Sequence, residues 1–216
     1  MTPRFVGILL FIIIIACFAA GIVVYPYFPS IIISHWNAQG IANGGIGKFW
    51  GVFLLPFIML LLVGVWALLP WIDPIAPGFK GFRYIYDFIF FLIIAFLAYV
   101  YALTLAANAS LRFDMFTMIL PALAAFIFIL GALMPYLKRN WFVGIRTPWT
   151  ISNDVVWDKT HRLAGMLFEI AGVVILIASF APRAAAVWFI AAPIIIVALI
   201  CVVYSYFLYR ANGRTS

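Results

Sequence analysis

The chain has 216 residues, 68% of them hydrophobic and only 9% charged, with a mean hydropathy of +1.21 and a formal charge of +7. Too few polar residues remain to coat a soluble globule of that size, which excludes a soluble enzyme or carrier and leaves an integral membrane protein. The basic residues lie in short segments between apolar runs, where they orient a chain against anionic lipid, so direct nucleic-acid binding is not expected.

Residues 5–24 follow Arg4 without a polar interruption. Roughly 20 residues at ~1.5 Å each cross a hydrocarbon core of ~30 Å, so this run is the first expected span. Ala19-Ala20-Gly21 and Ile15-Ala16-Cys17 offer a cleaved signal peptide or a lipoprotein site as rivals, and the length of the run favours a retained span. Cys17 and Cys201 both fall in apolar runs and read as small core residues, so no disulfide is expected.

The loop of residues 25–48 holds Tyr25, Tyr27 and Trp36, which suit the head-group layer, and its Ile31-Ile32-Ile33 run reads as a short strand or an interfacial dip. The second span is predicted at 49–69 with Pro56 inside it, and residues 70–84 hold three prolines that forbid a long helix. The third span, 85–107, begins with Asp87 already in the apolar stretch, and a turn with Asn108, Arg112 and Asp114 leads to the fourth, 115–137, containing Pro121. After a polar loop come the fifth span, 163–181, a Pro182-Arg183 turn, and the sixth, 184–209, containing Pro193. The expected fold is an all-α integral membrane protein of six transmembrane helices. Pro56, Pro121 and Pro193 recur near the outer ends of alternate spans, as three similar hairpins would place them.

The distribution of Lys and Arg sets the expected orientation. One side holds Arg4, Lys80, Arg83, Lys138, Arg139, Arg146, Lys159, Arg162, Arg210 and Arg214, and the other only Lys48, Arg112 and Arg183. Both termini and the 138–162 loop are therefore expected in the cytoplasm, and the 25–48 loop outside.

The 138–162 loop is the long polar stretch of the chain and the expected seat of recognition. Lys138 and Arg139 suit the end of a helix and anionic lipid; Gly144 permits a turn; Pro148 pushes Thr147 out of the helical region. Thr150 or Ser152 is expected to cap a helix with Asp154 in its first turn, running unbroken into the fifth span. At about 100° per residue, Asp154, Asp158, His161, Arg162, Gly165, Glu169 and Gly172 fall on one face. Asp158 and Arg162 are then expected to pair, and Gly165 and Gly172 to admit a close helix. An acidic group at depth needs a partner, for which Arg162, His161 or Arg83 are candidates to Glu169. For Glu169 and Asp87 a structural ion pair and a functional carboxylate both stand open.

Enzymatic signatures are absent apart from the option of an Asp87 and Glu169 carboxylate pair. The two histidines, His35 and His161, are predicted on opposite faces, and no zinc, nucleophile-elbow or phosphate-loop pattern occurs, so no metal or cofactor is expected.

Residues 140–165, N-W-F-V-G-I-R-T-P-W-T-I-S-N-D-V-V-W-D-K-T-H-R-L-A-G, closely resemble the signature of the SdpI family of bacterial membrane proteins. The matching positions are Asn140, Gly144, Arg146, Thr147, Pro148, Trp149, Thr150, Trp157, Thr160, His161, Arg162 and Gly165. Upstream, S-H-W-N-A-Q-G at 34–40, Pro56 and P-W-I-D-P at 70–74 resemble DUF1648, a domain of unknown function that often precedes that signature. There the matches are His35, Asn37 and Gly40 in the outer loop and Asp73 and Pro74 in the inner one. The chain departs from this second pattern in the bland Gly44-Gly45-Ile46-Gly47 run. The resemblances divide the chain into a DUF1648-like part, 1–80, and an SdpI-like part, 81–216.

The family resemblance implies six spans, immunity to a secreted peptide toxin, and signalling by holding a cytosolic transcriptional repressor at the membrane. It implies a ligand or partner site on the signature positions; the polar stripe of the fifth span adds Glu169 to that site, as the link by which a toxin or lipid-like ligand at the outer loop would be sensed. A small transporter or channel using Glu169 and Asp87 is the competing reading, and a ligand-free scaffold a third.

Overall fold

The computed structural model describes residues 3–37, 39–181 and 183–212; Pro182 of the expected turn and Arg214 of the charge count lie outside them. In chain order come α1 (Pro3–Val24), the hairpin strands β1 (Ile31–Trp36) and β2 (Ala42–Gly47), α2 (Lys48–Ile72), α3 (Arg83–Asn108), α4 (Met115–Leu133), the short α5 (Pro148–Ser152), α6 (Asp154–Ala178) and α7 (Arg183–Asn212). Six helices, all but α5, are long and apolar enough to cross a membrane. Large side chains such as Ile15, Leu61, Ile177 and Leu199 point outward and exposed, as lipid-facing positions require.

Helix ends differ from expectation where local chemistry overrides the apolar run. α2 continues through Pro70 to Ile72. α4 starts where the Asp114 carboxylate accepts the Thr117 N–H at 2.8 Å, and it gives way after Leu133 to a 3₁₀ turn, Met134–Tyr136, that contains Pro135. The fifth span begins at Asp154 and already ends at Ala178.

The consecutive spans touch as hairpins would, α1 with α2, α3 with α4 and α6 with α7, and beyond that the spans share two cores of three helices each. Leu10, Met59 and Ile94 sit fully buried in the core shared by α1, α2 and α3, while Ala124, Ala164, Ile175 and Cys201 fill the core of α4, α6 and α7. Glycine explains why α4 chooses α6. A Cβ added at Gly131 would stand 2.7 Å from the Glu169 backbone nitrogen and 2.7 Å from the Gly165 carbonyl oxygen, and one at Gly172 would stand 2.9 Å from the Ala124 carbonyl oxygen. The two backbones thus touch, which the expected roles of Gly165 and Gly172 require.

The Ile31 run is a strand, paired antiparallel with β2 in the register Ile31 to Gly47 and Ile33 to Gly45, with a bulge before His35. Ile32 is buried and presses onto Gly51 of α2, where any side chain would collide with it. Asn108, the last residue of α3, acts as a substitute strand: its Oδ1 accepts the Ile33 N–H at 2.9 Å and its Nδ2 donates to the Ile33 carbonyl at 3.0 Å. Asn108→Ala leaves both groups without that partner, a loss of about 1–3 kcal/mol for each group kept from water. Hydrogen exchange over residues 31–47 should then rise while α1 to α3 stay protected.

Candidate functional site

The signature segment folds against the protein as a clasp, and most of its polar atoms point inward. Asn140 is fully buried; its Oδ1 accepts the Phe142 and Val143 N–H groups at 2.8 and 2.6 Å, and its Nδ2 donates to the Lys138 and Val143 carbonyls. One side chain therefore satisfies the turn that the chain makes after Arg139, as a buried loop demands.

Asp73, from the loop after α2, closes the clasp from the other half of the chain. It is 3% exposed; Oδ1 accepts the Ile75 and Ala76 N–H groups, and Oδ2 accepts the Trp141 N–H at 2.8 Å. This hydrogen bond joins the loop after α2 to the signature segment. Pro74, beside it, is exposed.

Gly144 and His161 form the third point. Gly144 has φ +111°, and a Cβ there would run into His161 Nε2. The Ile145 N–H donates to that Nε2 at 3.0 Å, which places the ring proton on Nδ1, donating to the Trp157 carbonyl at 2.9 Å. The imidazole stacks on Trp157 with ring centroids 4.0 Å apart, and the Trp157 indole N–H donates to the Leu137 carbonyl at 2.8 Å. Both rings are fully buried. Gly144→Ala combines a left-handed backbone with this collision and should destabilise by about 1–3 kcal/mol from backbone strain alone. The checks are a lower melting temperature in detergent and weaker protection of the Ile145 amide.

Thr147 caps α5: its Oγ1 accepts the Thr150 N–H, while Thr150 Oγ1 accepts the Thr147 N–H and donates to the Ile145 carbonyl. Thr147 Oγ1 also lies 3.2 Å from Ser205 Oγ of α7, and Trp149 packs edge-on against Tyr206, so the clasp is tied to the last span as well. α5 ends at Ser152, and Asn153 caps α6 by accepting the Val155 and Val156 N–H groups. The helix with Asp154 in its first turn runs unbroken into the fifth span as expected, but its cap is Asn153 rather than Thr150 or Ser152, and a separate short helix capped by Thr147 precedes it, because Thr147 and Asn153, both extended, each start a helix.

Arg139 staples the junction. Its Nη1 donates to the Ile151 carbonyl at 2.9 Å and its Nε lies 2.7 Å from Asp154 Oδ1. The expected Asp158–Arg162 pair does not form: among the described residues the ion pairs are Arg139–Asp154 and Arg83–Asp87, and Arg162 is exposed.

The remaining candidates fall in separate places. Arg146 is exposed and donates to the Trp141 carbonyl at 3.0 Å; Pro148 is exposed too. Thr160 is buried with its hydroxyl unpartnered among the described residues. Asp87, 1% exposed, accepts from Arg83 Nε at 2.8 Å and Trp66 Nε1 at 2.9 Å and so locks α3 to α2. Glu169 is half-buried on α6 and makes no hydrogen bond or ion pair among the described residues; Arg83 serves Asp87 and His161 serves Ile145, so two of its three expected partners are engaged elsewhere. On the opposite face His35 Nδ1 lies 2.6 Å from Asn43 Oδ1, Asn37 Oδ1 accepts the Gln39 and Ile41 N–H groups, and Gly40 turns the hairpin with φ +76°. Sequence reasoning missed Asn108, Asn153 and Ser205 as anchors; each is a lone small polar residue at a helix end or in an apolar span.

Residues 136–205 match the model of the SdpI/YfhL protein family, and residues 12–60 match that of a domain of unknown function, DUF1648. The immunity protein SdpI of Bacillus subtilis (strain 168) is 27% identical over 173 residues, covering 78% of this chain and 79% of that protein. No solved structure matches. The clasp lies within the first of these matched stretches, and the chain is therefore similar to SdpI/YfhL proteins over residues 136–205, with a DUF1648 match ahead of it at 12–60.

Proposed function

We propose that this protein confers immunity to a membrane-active peptide toxin, with both termini and the clasp in the cytoplasm and the β1–β2 hairpin outside. The observation that carries this reading is the alignment with an immunity protein, which runs far beyond the signature and along most of both chains. The excess of Lys and Arg on the clasp side supports the orientation. In this reading the 1–80 part presents the outer hairpin and the 81–216 part carries the clasp. A toxin engaging the hairpin or the upper spans favours one arrangement of the helices, and the clasp, tied to both halves, changes the face it offers to a cytosolic partner such as a transcriptional repressor. The buried Asn140, Thr147, Trp157 and His161 set the shape of that face, while Arg146 and Arg162 are exposed on it and Trp149 is half-buried against Tyr206.

The test is survival of a susceptible bacterium challenged with membrane-active peptide toxins, with wild type and Arg146→Ala compared at matched membrane abundance. Wild type should protect and the variant should protect less. Failure of wild type against every toxin tried would contradict the proposal. One observation favours the transporter reading instead, the unpaired Glu169 carboxylate in α6. Flux into proteoliposomes that disappears in Glu169→Gln would sustain that alternative. Asp87 fits it poorly, because Arg83 and Trp66 already hold its carboxylate.

A further inference from the structure

A cleft of about 570 Å³ opens between the inner loop and the start of α6, walled by Ile75 to Pro77 on one side and by Lys80, Lys138, Arg139, Asp154 and Asp158 around the rest. Two of these charges are already matched: Arg139 holds Asp154 and the Ile151 carbonyl. Lys80 and Lys138, both exposed, and Asp158, half-exposed, make no ion pair among the described residues. The cleft therefore offers two uncommitted cations, one uncommitted carboxylate and a small apolar wall.

Its depth is as informative as its charge. Lys80 precedes the first residue of α3, Lys138 follows the turn that ends the fourth span, and Asp158 lies in the second turn of α6. All three stand at the ends of spanning helices, where head groups lie. A simple anion would gain from the lysines and be repelled by Asp158. A group with a phosphate and an ammonium a few ångströms apart satisfies all three.

We propose that this cleft holds the head group of an amine-bearing phospholipid, with the phosphodiester between Lys80 and Lys138 and the ammonium on Asp158. The bound lipid would join the inner loop to the clasp beside the Asp73 hydrogen bond, making the clasp sensitive to the lipid around it. This inference does not depend on the immunity reading or on the orientation.

Native mass spectrometry of the delipidated full chain tests it, with phosphatidylethanolamine, phosphatidylglycerol or phosphatidylcholine resupplied in mixed micelles. Wild type should retain one phosphatidylethanolamine in preference to the other two. The double variant Lys80→Gln, Lys138→Gln should lower retention of phosphatidylethanolamine and phosphatidylglycerol alike by about tenfold, equivalent to ~1.4 kcal/mol. Lys80→Arg, Lys138→Arg should restore it, which separates charge from folding. Asp158→Asn should abolish the preference for the amine lipid and leave phosphatidylglycerol unaffected. Unchanged retention in the glutamine double variant would overturn the site, and an amine preference that survives Asp158→Asn would overturn the ammonium assignment. Glycerophosphoethanolamine, the same head group without acyl chains, should compete poorly; competition as strong as the lipid's would overturn the lipid as the source.

Discussion

Asp73→Ala should release the segment 140–147 from the rest of the protein at a cost of about 3 kcal/mol or more. The carboxylate accepts three backbone N–H groups, two within its own loop and one at Trp141, and it is almost fully buried. Hydrogen bonds to a charged group contribute about 1.5–3 kcal/mol each, and entering water recovers part of what is lost. Asp73→Asn should fall between, because its carbonyl oxygen can still serve Ile75 and Ala76 while its amide N–H₂ meets the Trp141 N–H. Limited proteolysis in detergent should therefore cut near Trp141 first in Ala, later in Asn and last in wild type. An Ala variant as resistant as wild type would show that the two halves of the chain are not joined at this carboxylate.

Gly131→Leu is expected to separate α4 from α6. A Cβ at Gly131 meets backbone atoms of both Glu169 and Gly165, and neither can swing away as a flexible side chain does. Overpacking of this kind costs about 1–3 kcal/mol, more where backbone must move. Gly64 in α2 is the natural control, since a Cβ there meets nothing within 4 Å. Alanine at Gly64 should stabilise slightly, by up to about 0.5–1 kcal/mol through lost backbone entropy in the unfolded chain. Opposite shifts in detergent melting temperature for the two variants would support the contact. A Gly131→Leu protein that melts like wild type would remove α4–α6 packing from the account.

The six spans were legible because each is a largely apolar run of membrane length, interrupted by few charges such as Asp87 and Glu169, a signal that survives any arrangement of neighbours. The grouping of those spans was not, because an apolar helix surface does not name its partner; only Gly165 and Gly172 pointed to a close contact, and Gly131 across from them gave no sign. β1 was legible in its isoleucines, whereas β2, Ala-Asn-Gly-Gly-Ile-Gly, carries little strand propensity and owes its place to pairing. The break at Asn153 was hidden because Thr150 and Ser152 are also good caps, and local sequence cannot rank three candidates within four residues.

The clasp shows the same division. The motif contains the residues that build the clasp; Gly144 takes the left-handed turn that was expected of it, and Thr147 before Pro148 is extended, as expected. What the side chains do there depends on contacts far along the chain: Asp73 to Trp141, His161 to Ile145, Thr147 to Ser205. None follows from helical periodicity. The expected Asp158–Arg162 pair shows the opposite failure: spacing permits it, yet Arg162 is exposed and the pair does not form, while the carboxylate that gains a basic partner in this stretch is Asp154, from Arg139.

Backbone hydrogen exchange over residues 140–147 tests the closed clasp most directly. This stretch lies outside the helices, yet the N–H groups of Trp141, Phe142, Val143, Ile145 and Thr147 each donate to a side chain, of Asp73, Asn140, Asn140, His161 and Thr150 respectively. These five amides should exchange as slowly as those of the adjoining helices, and Asp73→Ala and Gly144→Ala should speed them up. Exchange at the rate of a solvated loop in the wild-type protein would mean that the signature is an open surface and that its buried side chains are available to a partner after all.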